Sequence, residues 1–249
     1  MWEFSLYFDR QLLAFFNKFK HDLKRMCEDE LNCVSIQPEE ENFVLLLAFS
    51  KEFYKKNILF IKNKIAEIIC LNYKPKIIKN NIKNFDLNNF ENVLLLFILT
   101  NIDYYFDKEN IVKKLSLCSS LYLNSFVKFQ LKAETKKWKE IGCLINQNSL
   151  FLFDDGIKNE LQKFLLNSIE NKTKQVYLSQ EQNRFLLKNF DNILIEKMSI
   201  LNLNNEENSV IFSLINLMPE KIIINQHEQF DVNFVSILYN LFGESIVFS

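Results

Sequence analysis

This chain of 249 residues holds two histidines, His21 and His227, the residue type most often used to move protons in catalysis. His227 has company: Glu228 and Asp231 follow it closely, so one loop can gather an imidazole and two carboxylates, a set suited to proton transfer or to holding a cation. Transition-metal sites recruit more than one imidazole or thiolate as a rule, so no metal and no cofactor is expected here. Asp231 is equally placed to cap the helix that follows it. His21 falls on a lysine-rich helix face and is read as solvated.

A second kind of chemistry is electrostatic. Lys128, Lys132, Lys136 and Lys139 recur every three or four residues, with Lys137 beside them, which lines amines along one side of a helix. Such a stripe can neutralise phosphates and bind nucleic acid in a salt-sensitive way. The competing reading is a solvated face, in a chain whose wealth of Lys, Asn, Ile and Phe reflects an A/T-rich coding genome. Charge is sorted along the chain: residues 28–41 carry six acids and no base, residues 51–83 nine lysines and two glutamates, and the net charge is −1. This permits an anionic partner without specifying one.

Other chemistries are excluded by composition. The three glycines, Gly142, Gly156 and Gly243, stand alone, so no phosphate-cradling loop can form, and Gly-x-Ser-x-Gly is absent. Five cysteines without a C-x-x-C pair read as buried, reduced thiols of a cytosolic protein. The N-terminal stretch lacks the charge order of a signal peptide, and the apolar runs 43–49 and 93–99 are too short for a bilayer core of roughly 30 Å. A soluble, cytoplasmic protein with no membrane span is expected.

These residues need elements to hold them. Few Gly and Pro favour helices, and 25 Phe supply ample core. Residues 2–8 alternate as a strand, 11–27 repeat at helical spacing, 32–37 and 43–49 form a hairpin across a polar turn, and 51–72 form a helix ending before Pro75. Helices are expected over 90–106, 108–121, 125–145 and 156–169, the last capped by Asp155. A hairpin over 175–188, helices over 192–198 and 206–217, and a closing strand, helix and strand from 221 to 248 complete the chain. The last three elements make a βαβ unit with parallel strands. The class is α+β: an N-terminal β-α-β-β-α unit in residues 1–85, then residues 86–249 with a central helical region, a C-terminal β-hairpin and the small βαβ unit.

Three stretches carry a likeness: "SFVKFQLK" at 125–132, "VYLSQEQNRFLLKN" at 176–189, and above all "SLINLMPEKIIINQHEQFDVNFVSILYNLFGESIVFS" at 213–249. Through them, residues 90–249 resemble the YtxC-like family of sporulation-associated proteins of Firmicutes, in which an apolar helix runs through a Pro-x-Lys-Ile turn into a strand, a helix and a terminal strand. The resemblance implies a sporulation setting and no assigned reaction. The function expected is therefore that of a non-enzymatic accessory protein acting on a protein partner. A nucleic-acid binder using the lysine face, and an enzyme of unknown reaction around His227, are the alternatives.

Overall fold

The structure is a computed structural model that describes residues 1–27, 33–40, 42–85, 90–147, 175–181, 184–195, 206–217, 219–225 and 230–249. Both helices and strands are present, in two mixed four-stranded sheets, so the class is α+β. The chain forms two compact units: Met1–Lys83 with Leu99–Leu144, and Asn84–Ile98 with Ile145–Ser249. These are not the 1–85 and 86–249 expected from the sequence, because most of the central helices cluster with the N-terminal strands.

In the first unit, β1 (Trp2–Asp9) is followed by a short 3-10 turn, α1 (Leu13–Met26), β2 (Cys33–Glu39), β3 (Asn42–Phe49) and α2 (Lys51–Lys79). The helix α3 (Phe90–Asn101) leads into α4 (Tyr104–Lys114), β4 (Ser120–Tyr122), α5 (Leu123–Phe129) and α6 (Lys132–Gln147). The sheet order is β2-β3-β1-β4, with β3 between β2 and β1 and antiparallel to both. Strand β4 runs parallel to β1, pairing Ser5 with Ser120 and Tyr7 with Tyr122.

Alternation decides the faces. Phe4, Leu6 and Phe8 are buried on the side where Phe8 meets Phe16 of α1 and Phe49 meets Phe53 of α2. Ser50 caps α2, its hydroxyl accepting from the Phe53 amide at 3.1 Å.

Five expectations are corrected in this unit. Helix α2 runs past Asn72 and through Pro75 to Lys79; Pro75 is buried, as are Lys74 and Ile78 around it, and this packing outweighs the roughly 3 kcal/mol a helix-interior proline costs. The helix expected over 90–106 breaks where Asp103 turns left-handed at φ 54°, a conformation Asp tolerates better than most residues. The helix expected over 108–121 stops at Lys114 and yields strand β4, and that over 125–145 divides at Gln130 into α5 and α6. All five cysteines are free, but Cys70 alone is buried; Cys33, Cys118 and Cys143 are exposed and Cys27 is intermediate.

The second unit holds β5 (Gln175–Glu181), β6 (Arg184–Asn189), α7 (Glu206–Leu217), β7 (Lys221–Ile224), α8 (Val232–Phe242) and β8 (Ile246–Phe248). Its sheet order is β6-β5-β7-β8, with the expected antiparallel hairpin and with β7 parallel to both β5 and β8. Val176, Leu178, Leu187, Ile222 and Ile224 form a core with Val210, Ile211 and Leu214 of α7, Phe234 and Leu238 of α8, and Val93, Phe97 and Ile98 of α3. Asn192 turns left-handed at φ 60°, and residues 193–195 return along β6 with Leu194 bridged to Lys188, where a helix was expected. The rest of that segment and the helix expected over 156–169 lie outside the described residues. Among the described residues, no helix is long and apolar enough to cross a membrane.

Candidate interaction surfaces

Lys132, Lys136 and Lys139 sit at positions i, i+4 and i+7 of α6 and are exposed together. Lys136 reaches Glu140 at 3.8 Å in an exposed pair. Lys137 points away from them: its Nζ lies 2.7 Å from Asp103 Oδ2, 3.7 Å from Asp107 Oδ1 and 5.2 Å from the Phe106 ring centroid. Lys128 belongs to α5 and lies over the Phe129 ring. The five amines of the sequence pattern thus reduce to three on one helix face.

His227 and Glu228 lie outside the described residues. Asp231 caps α8, its Oδ1 accepting from the amides of Asn233 at 2.8 Å and Phe234 at 3.3 Å. Burial, then the charge of Asp231, pushes the Glu207 carboxyl above its ordinary pKa. No group of three His, Cys, Asp or Glu among the described residues is arranged to hold a metal ion.

The sequence reading missed a buried ion pair. Lys74 and Asp107 are 0% and 1% exposed, with Nζ 2.7 Å from Oδ2. The Trp138 indole donates to the same oxygen at 2.8 Å, and Lys74 also donates to the Ile102 carbonyl. Nearby, Lys114 grips the buried Glu134 with both oxygens at 2.7 and 2.8 Å. The hydrogen bond from Lys137 holds the Asp103 carboxyl below its ordinary range, and Asp103 in turn raises Lys137. Burial pushes the Cys70 thiol up to about 12, so it stays protonated and weakly nucleophilic. Each charge here is answered from within, so the cluster fastens α2, α4 and α6 together. One signal was present in the sequence: Ala66, Cys70, Lys74 and Ile78 recur every fourth residue along α2, placing a lysine in an apolar row.

The first sheet has a second face, opposite α1 and α2. Its registers stack in rows: Asp9, Asn42 and Glu39; then Tyr122, Tyr7, Val44 and Gln37; then Ser120, Ser5, Leu46 and Ser35; then Glu3, Ala48 and Cys33. Tyr7 and Tyr122 stack with centroids 4.1 Å apart and planes within 4°, and Tyr122 is 53% exposed. Partial burial, then the Glu39 charge, raises the Tyr7 phenol. Asp9 accepts from Asn124 at 2.7 Å, and Asn124 accepts from Tyr73 of α2. None of the four strands contains Lys or Arg.

No family model matches this chain, and neither a curated protein nor a solved structure matches it.

Proposed function

We propose that this chain is a non-enzymatic accessory protein that docks a protein partner on the open face of its first sheet, in the cytosol of a spore-forming bacterium. The observation that carries this reading is the stacked Tyr7–Tyr122 pair on a sheet face turned away from α1 and α2, with Gln37, Glu39 and Ser120 exposed around it. Tyrosine offers large contact area at low entropic cost and is enriched where proteins meet. The buried charges of this unit are spent on holding helices, which leaves that face rigidly backed. The setting rests on the YtxC-like resemblance, supported by the order α7, β7, α8, β8 along residues 206–248, the order it implies.

The test is a photo-crosslinker, p-benzoylphenylalanine, at position 122 of the full chain in the source cells. Capture of one discrete protein in starved, spore-forming cultures, absent when the label sits at exposed Val232, is expected. A smear common to both positions, or no adduct, overturns the reading.

The exposed triplet Lys132, Lys136 and Lys139 favours a second reading, nucleic-acid binding. It requires that fluorescence anisotropy with short DNA and RNA weaken steeply with salt and that binding vanish when all three become Glu. Absence of binding at low salt retires it.

A further inference from the structure

The open face has a charge as well as a shape. Glu3, Asp9 and Glu39 lie at the two ends of the rows, the aromatic pair sits inside them, and no cation of the strands offsets them. A stacked tyrosine pair presents electron-rich ring surface, which attracts an ammonium or guanidinium within about 6 Å. A carboxylate elsewhere on the same face adds hydrogen-bond acceptors for a second cation of the same segment, and a guanidinium suits either place because it is planar and weakly hydrated. Phosphate, by contrast, finds no cation on these strands.

From this we infer that the partner segment docking on this face is a basic peptide lying across the sheet, with one arginine against Tyr122 on β4 and another directed to Glu39 on β2, the opposite edge strand. The flat serine row beside it, Ser120, Ser5 and Ser35 with Leu46 between, leaves room for backbone to lie close to the sheet. The inference rests on the docking reading above and adds the chemistry of the partner.

The probe is a fluorescein-labelled decapeptide alternating arginine and serine, with a citrulline version of equal length and a ten-nucleotide single-stranded RNA as comparisons. Anisotropy with the purified full chain is expected to show binding of the arginine peptide that weakens with salt and is lost with citrulline. Tyr122→Ser should weaken it about fivefold and Glu39→Gln about threefold, while Glu244→Gln, an exposed acid of the other unit, leaves it unchanged. Circular dichroism of both variants checks that they fold. Equal binding by every variant, equal binding of citrulline, or RNA competing from the same face overturns the inference. No peptide binding alongside a discrete adduct at position 122 overturns the basic chemistry and leaves the docking reading intact; failure of both removes both.

Discussion

Asp107 accepts from Lys74 and from Trp138 on one oxygen and faces Lys137 across 3.7 Å on the other. Removing one partner of a buried pair is worse than removing both, because the remaining charge keeps its desolvation cost. Lys74→Met should therefore destabilise the first unit by about 3 kcal/mol, near the low end because Lys137 remains close. The double variant K74M/D107L should recover part of that loss, stopping about 1–3 kcal/mol short of the parent because the indole N–H is left unpaired. Both tryptophans, Trp2 and Trp138, belong to this unit, so urea melts followed by their fluorescence report on it directly. A double variant less stable than K74M would contradict the argument. The outer pair behaves differently with pH. The folded pKa of Asp103 is lowered, so its contribution is complete above the ordinary carboxylate range and fades as pH falls through the lowered value; that of Lys137 is raised, so its contribution holds below the ordinary lysine range and fades in strong alkali. The stability gap between parent and Asp103→Asn should be flat from about pH 5 to 9 and shrink in acid. Half-exposed as Asp103 is, the gap stays below about 1 kcal/mol. A gap that widens on acidification would reverse the assigned sign.

Helix α6 crosses the end of α2 at Gly142, where a Cβ would sit 2.6 Å from the Ile78 carbonyl oxygen and 2.9 Å from Asn81 Cβ. Alanine in a helix interior is favoured over glycine by about 1 kcal/mol, but here it meets backbone that cannot rotate aside. Gly142→Ala should destabilise the first unit by about 1–3 kcal/mol in the same fluorescence melt; a more stable variant would show that the helices separate freely. Elements with a strong period were readable from the sequence: α7 spans Glu206–Leu217 as expected, and both hairpins pair as expected. What escaped was set by tertiary packing. Strand β4 is three residues long and exists because β1 offers it an edge. Pro75 lies within a helix because its neighbours are buried, and the break at Asp103 places Asp107 and Lys137 where Lys74 can use them. The candidate lysines were legible as a stripe on α6, whereas the turn of Lys137 toward Asp103 followed from a fold that spacing alone does not encode. The open face was half legible, since the alternation of β1 foretells two faces without saying what covers each.

The two units share the chain unevenly, for it leaves the first at Lys83 and re-enters it at Leu99. A piece cut at residue 85 holds β1 to β3 and α2 but lacks α4, β4, α5 and α6. Lys74 would then be a cation without Asp107, set among Cys70 and Ile78. The fragment 1–85 should show no cooperative urea transition by circular dichroism, in contrast to the full chain; a sharp transition would mean that the strands and two helices suffice. The same threading bears on how the protein is born. Val93, Phe97 and Ile98 leave the ribosome well before Val176, Leu178 and Ile222, the residues they pack with, have been made. At synthesis rates of about 5–20 residues per second, this apolar stretch waits on the order of ten seconds for its core. During that interval the emerging polypeptide offers a chaperone a binding sequence, and a mutation that slows translation across 148–174 would lengthen exposure without altering the finished protein.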